Sequence, residues 1–171
     1  MGKLLGTILI LCGSAGCLYS WRENEKKKQA FMEECIRLFS FWNYVLKQEH
    51  MRLYDFLESY ETEWKEMQTL LLNLKGILEK NSYASGRAAW QEVLLLNKKK
   101  LPLRGEAYSI LEKAADSFFG NSSMESLRCI GVCRERMEEE LIRHRREYAA
   151  KQKVYMPLGM LGGLMLVIFL I

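Results

Sequence analysis

Between Phe31 and Val45 the apolar residues Phe31, Cys35, Leu38, Trp42 and Val45 stand 4, 3, 4 and 3 positions apart. Residues three and four apart share a face of an α-helix, so this spacing predicts one helix with a single apolar stripe. Met32, Ile36 and Phe39 widen the stripe and predict broad burial rather than a thin seam. After the polar break Lys47–His50, the residues Leu53, Phe56 and Leu57 predict a short helix. Tyr60, Trp64, Met67, Leu71, Leu74 and Leu78 then occupy consecutive heptad positions and predict a bundle helix, interrupted at Asn81-Ser82 and Ser85-Gly86.

Residues 84–97 predict a shorter helix that presents Trp90, Val93 and Leu94, with Ser85 as its N-cap. The basic turn Lys98-Lys99-Lys100-Leu101-Pro102 ends it, because the residue before a proline is steered away from helix. Residues 104–119 predict the next helix, with Tyr108, Leu111, Ala115 and Phe118 inward. Gly120-Asn121-Ser122-Ser123 reads as a C-cap, a turn and an N-cap in succession, and the last helix starts near Met124. Leu127, Ile130, Cys133 and Met137 give that helix a core face. From Arg134 to Lys153 it carries 12 charged residues in 20 and becomes a solvated stalk. Glu139 with Arg143 and Glu147 with Lys151 are favourable i,i+4 pairs, each worth about 0.2–0.5 kcal/mol. Such a stalk would hold a bundle off a surface and pair with the first helix or another subunit.

Two 18-residue blocks, Leu4–Trp21 and Val154–Ile171, contain no charged residue. A helix of that length spans about 27 Å, enough for most of a bilayer's hydrocarbon core. In the second block Gly159 and Gly163 form a G-x-x-x-G pair with Gly162 beside them, a close-packing face for another helix. Three readings of the first block stay open. It is a retained span with Tyr19 and Trp21 at the interface, a cleaved signal peptide, or a lipoprotein signal ending at Cys17 after Ser14-Ala15-Gly16. Arg22, Lys26, Lys27 and Lys28 follow the first block, and Arg143, Arg145, Arg146, Lys151 and Lys153 precede the second. Both blocks therefore orient residues 22–153 toward the cytoplasm under the positive-inside rule.

The expected architecture is all-α: a bundle of about five to six helices at 22–153 between transmembrane helices at 4–21 and 154–171. Composition agrees only once it is divided. The chain has 171 residues, 49% apolar and 27% charged, a soluble average that conceals the segregation. Residues 22–153 hold 24 Lys and Arg against 21 Asp and Glu, too balanced for a nucleic-acid binder. Two prolines and few Thr-Val-Ile alternations exclude a β architecture.

Candidate chemistry is sparse. His50 and His144 lie in separate polar segments without a ligand set. Cys12 and Cys17 fall in the first block, Cys35 on the core stripe, and Cys129 with Cys133 on one helix face without the second pair a metal site needs. No glycine-rich phosphate loop, G-x-S-x-G or H-E-x-x-H occurs. No catalytic, cofactor-binding or metal residues are assigned, no small-molecule substrate is expected, and an enzyme is not expected. One surface feature remains: Lys98, Lys99, Lys100 and Arg104, four basic residues in seven, suited to an acidic partner or an anionic lipid.

This layout resembles the stage III sporulation protein AB family. The resemblance rests on the opening MGKLLG and its apolar run, on Arg87-Ala88-Ala89-Trp90 followed by Gln91-Glu92, and on the arrangement from Tyr108 to Gly120. It rests also on the glycine-bearing block LGMLGGLMLVIFLI after a basic helix. The chain departs from the family where Asn121-Ser122-Ser123-Met124-Glu125 replaces an expected aspartate and glutamine. It departs again where Lys47-Gln48-Glu49-His50 replaces a tyrosine-glycine and proline turn. The resemblance implies a non-enzymatic membrane component of a sporulation complex between mother cell and forespore. It also implies a soluble part similar to the cytoplasmic domains of type II secretion F proteins, and a mother-cell membrane location. The partners it implies are a cytosolic secretion-type ATPase and other membrane subunits, and it carries over no cofactor. From another class, the residues also admit a surface lipoprotein processed at Cys17 with an extracytoplasmic ligand-binding bundle.

Overall fold

The computed structural model describes residues 2–48, 53–80, 85–120 and 122–170; for 2–12, 14–15, 156, 159–160, 163–164, 166–167 and 169–170 it describes the backbone alone. All regular elements among the described residues are helices: α1 (Gly2–Lys47), α2 (Leu53–Ser59), α3 (Lys65–Glu79), α4 (Gly86–Asn97), α5 (Gly105–Lys113), α6 (Ala115–Phe118) and α7 (Ser123–Leu170). The chain forms two compact units, Ala30–Leu141 and the pair Met1–Gln29 with Ile142–Ile171. The helical unit is thus shorter than 22–153, because the charged stretches 22–29 and 142–153 group with the apolar blocks.

The core of the 30–141 unit is built on the stripe of α1. Phe31, Cys35, Leu38, Trp42 and Val45 are all buried, as are Met32 and Phe39. Opposite them lie Met67, Leu70, Leu71 and Leu74 of α3, Ala89, Trp90, Val93 and Leu94 of α4, and Ala107, Ile110 and Leu111 of α5. Aromatic rings knit the centre: Phe118 lies 5.4 Å from Trp42, 5.9 Å from Phe56 and 5.1 Å from Trp90, centroid to centroid. Both buried indoles find acceptors, Trp90 Nε1 donating to the Leu111 carbonyl at 3.0 Å and Trp42 Nε1 to Ser117 Oγ at 3.0 Å. Ser117 passes its own proton to the Ser126 carbonyl at 2.8 Å, so this interior polar chain is satisfied, as burial requires.

Capping follows the sequence signals. Ser85 Oγ accepts from the Ala88 N–H at 3.2 Å and starts α4. Ser122 Oγ accepts from the Glu125 N–H at 3.2 Å and starts α7. Two expectations are corrected. The heptad from Tyr60 to Leu78 is not one helix: α3 begins at Lys65, and Tyr60 and Trp64 lie in the connection before it. Thr62 Oγ1 takes the Trp64 N–H at 3.1 Å, a local side-chain bond that competes with the helical ladder. Trp64 still packs edge-on against Phe31 at 5.7 Å, which is why its heptad position looked helical.

The helix expected at 104–119 is also two elements. It breaks at Ala114, where the Ser117 N–H bonds the Ala114 carbonyl three residues back. On either side of the break Ala114, Ala115, Ser117 and Phe118 are all buried.

In the other unit, α1 and α7 carry both apolar blocks as helix. Among the described residues no helix is long and apolar enough to cross a membrane. Trp21 rests against Tyr148 at 5.4 Å and Tyr155 at 5.7 Å. Glu25 accepts from Lys28 Nζ at 2.5 Å and from His144 Nε2 at 2.9 Å. The charged stretch of α7 therefore pairs with the first helix.

Candidate functional site

The turn between α4 and α5 holds the four basic residues singled out by the sequence. Its scaffold is apolar, with Leu101 and Leu103 buried on either side of Pro102. Its backbone is closed by the Lys100 and Leu101 N–H groups, both bonded to the Asn97 carbonyl at 2.9 and 3.0 Å. Asn97, itself buried, donates through Nδ2 to the Val93 carbonyl at 2.9 Å and fixes the end of α4. Gly105 then enters α5 at φ 58°, a left-handed conformation that glycine adopts without a Cβ penalty.

The four basic residues divide into two pairs. Arg104 turns back on the loop: its Nη1 donates to the carbonyls of Lys98, Leu101 and Leu103 at 3.0, 3.0 and 2.7 Å. Lys98 Nζ lies 5.3 Å above the Tyr108 ring, a cation–π contact. Burial holds the Tyr108 hydroxyl above the usual tyrosine range. Lys99 and Lys100 are exposed. Beside them, Leu95 is 63% and Leu96 62% exposed. Two exposed leucines at the end of α4 thus precede two exposed lysines on a turn stiffened by Arg104.

The leucines were missed by the sequence reading, although a signal was present. Trp90, Val93, Leu94 and Asn97 fill the inward face of α4, so the neighbours Leu95 and Leu96 must point out.

A second feature was also missed. A cleft of about 1250 Å³ lies between α1, α2, the 60–64 connection and α3, with Glu34, Phe41, Tyr60, Thr62, Trp64 and Leu71 in its lining. Its floor is the carboxylate of Glu34, 2% exposed. Tyr60 Oη and Thr62 Oγ1 donate to one oxygen at 2.8 and 2.6 Å, and Arg37 Nη2 to the other at 2.6 Å. Burial, then the bond to Glu34, holds the Tyr60 hydroxyl far above its ordinary range. On the rim Lys75 pairs with Glu58 at 2.6 Å, and Tyr54 donates to Glu79. Each of these groups is engaged in holding shape. The signal was Glu34 itself, which falls three residues after Phe31 and four before Leu38, on the core stripe.

The remaining candidates are dispersed. Gly162 is exposed, and a Cβ there would meet nothing within 4 Å. Gly159 and Gly163 lie in α7, but their surroundings fall outside the described residues, as does His50. Cys17 is exposed, Cys35 and Cys133 are buried and Cys129 is half-buried. Burial, then the charge of Glu34, pushes the Cys35 thiol far up; burial, then Cys129, pushes Cys133 up to about 12. These thiols stay protonated and pack as apolar groups. Among the described residues no group of three or more His, Cys, Asp or Glu could hold a metal ion.

The motif at 87–90 has a structural explanation. Ala89 and Trp90 are core residues, Arg87 Nε pairs with Asp116 at 3.2 Å, and Trp90 ties α4 to α5.

Compared with known proteins, the chain matches the family model described as Stage III sporulation protein AB over residues 3–171. A solved structure of a stage III sporulation protein AB (SpoIIIAB) superposes with a TM-score of 0.62 at 13% identity, covering 72% of this chain and 98% of that one. At that identity the likeness shows the fold alone. No curated protein matches the chain.

Proposed function

The chain belongs to the stage III sporulation protein AB family of sporulation-complex components, and on that premise we propose that it is a non-enzymatic, membrane-anchored platform whose helical unit docks a cytosolic secretion-type ATPase. The complex would lie between mother cell and forespore, with other membrane subunits beside it. The observation that carries the docking role is the surface at the end of α4. Leu95 and Leu96 offer apolar area, and Lys99 and Lys100 offer unspent positive charge. An apolar centre with a charged rim suits an acidic partner surface, the charges raising the encounter rate and selecting the partner. The buried carboxylate of the Glu34 cleft is already satisfied from within.

The membrane anchors in this reading are 4–21 and 154–171, with the helical unit on the cytoplasmic side in a two-pass chain. Uncharged helical blocks, basic residues on one side of each, and Trp21 with Tyr155 at their ends support it. The glycines Gly159, Gly162 and Gly163 would pack against a neighbouring subunit's helix. Charge reversal at Lys99 and Lys100 combined with Leu95→Ser should abolish retention of the co-encoded ATPase on the immobilised protein and leave the helical circular dichroism unchanged. Undiminished retention would remove the docking surface. Substituting Gly163→Leu should weaken co-purification of the other membrane subunits without preventing insertion.

A further inference from the structure

A shallow cleft of about 570 Å³ opens on the unit formed by 1–29 and 142–171, lined by Leu18 and Trp21 of α1 and by Tyr155 and Leu158 of α7. Leu18 and Trp21 are three residues apart, as are Tyr155 and Leu158, so each pair presents one face of its helix. The indole of Trp21 meets Tyr155 edge-on at 5.7 Å and closes one end. The lining is almost wholly apolar, and Tyr155 and Leu158 remain half or more exposed.

Charge identifies its chemistry. Residues 18–29 and 142–158 contain nine Lys and Arg against three Glu. All three carboxylates are engaged: Glu23 by Lys27 at 3.1 Å, Glu25 by Lys28 and His144, and Glu147 by Lys151 at 3.8 Å. Arg22 and Lys26 are exposed, and among the described residues neither pairs with a carboxylate. Arg22 stands four residues after Leu18, and Lys26 four after Arg22, so both follow the lining by one and two helical turns along the same side of α1.

We infer that this cleft is a binding site for one anionic phospholipid. An acyl chain lies against Leu18, Trp21, Tyr155 and Leu158, and the headgroup phosphate is held by Arg22 and Lys26. An apolar trough continuous with two unpaired cations matches a lipid in both parts. A zwitterionic headgroup would place its own cation against Arg22 and Lys26 and lose that match. A second protein helix would fill the trough and leave the two cations unanswered. The inference rests on the membrane-anchored reading above, to which it adds a ligand class.

The test is native mass spectrometry of the full-length protein released from nanodiscs that contain equal phosphatidylglycerol and phosphatidylcholine. The expected result is one phosphatidylglycerol retained per chain. Arg22→Gln with Lys26→Gln should weaken that retention by roughly 30-fold, the effect of two basic residues near an anionic surface. Both side chains are exposed, so the variant folds. Phosphatidylglycerol brominated on its acyl chain should also quench tryptophan fluorescence more than the brominated choline lipid, and Trp21→Phe should remove that difference.

Equal retention of the two lipids, or a lipid-free dimer in place of the lipid-bound chain, overturns the site while the anchored reading stands. A chain that carbonate washing strips from membranes overturns both.

Discussion

Glu34 shows how much one side chain decides in a small helical unit. A buried carboxylate is tolerated only when its oxygens are satisfied, and here two hydroxyls and a guanidinium satisfy them. Replacing Glu34→Ala leaves the Tyr60 and Thr62 hydroxyls without their acceptor, at a cost of about 1–3 kcal/mol in urea-unfolding stability. The same contact sets a pH dependence. The Tyr60 hydroxyl titrates higher in the folded chain than the ordinary tyrosine value near 10.0, so its contribution is complete below that pH. Above it the unfolded chain ionises first, and stability declines by at most about 1.4 kcal/mol per pH unit. Tyr60→Phe should therefore flatten the fall in urea midpoint between about pH 10 and 11.5, and leave it unchanged if Tyr60 does not keep its proton. Two glycines give a paired test of packing. A Cβ at Gly86 would fall 2.1 Å from Phe119 Cδ1, whereas at Gly76 it would meet nothing within 4 Å. Gly86→Ala should cost about 1–3 kcal/mol through forced movement of that ring. Gly76→Ala, inside α3, should gain about 0.5–1 kcal/mol.

At the scale of elements, the parts readable from sequence were those in which one period or one cap determines the outcome. The 4-3-4-3 stripe of α1 buries as spaced, Ser85 caps where its position implies, and the cap of α7 falls at Ser122, one residue before the expected Ser123. Elements set by a long-range partner were not readable. Thr62, which takes the Trp64 N–H just ahead of α3, also donates to Glu34, 28 residues away. Ser117, just after the break at Ala114, accepts from Trp42, 75 residues away. No local pattern encodes either meeting. The basic turn was found by its charge, but charge did not separate structural from free side chains: Arg104 spends its guanidinium on three carbonyls. Arg104→Ala should thus destabilise the unit by about 1–2 kcal/mol. Arg104→Lys should recover only part, because one ammonium cannot reproduce a planar fork. Reversing Lys99 and Lys100 should stay within about 0.5 kcal/mol of the parent, as for ordinary surface changes. Equal losses from all three substitutions would show that the turn is not divided in this way.

For the whole molecule, the proposed platform role requires the helical unit to lie on the cytoplasmic side of a membrane, since a cytosolic ATPase could meet Lys99 and Lys100 only from there. Charge asymmetry around the apolar blocks is the ground for that proposal, and thiol chemistry tests it. Cys35 and Cys133 are buried thiols held well above neutrality, and burial raises half-buried Cys129 as well. Slow reaction with a maleimide follows, because the thiolate is the attacking form. Cys17 is exposed and is kept, because processing there is the alternative under test; Lys99→Cys adds an accessible thiol to the turn, and its labelling is read as the excess over the parent chain. In intact cells a membrane-impermeant maleimide should label Lys99→Cys no more than the parent chain, and permeabilised cells should label it more. Excess labelling before permeabilisation would put the helical unit outside the cell. The lysines could not then meet a cytosolic partner, and a chain processed at Cys17 would account for the exposed unit. Because the probe reports from the docking surface itself, one experiment decides between the platform and the lipoprotein.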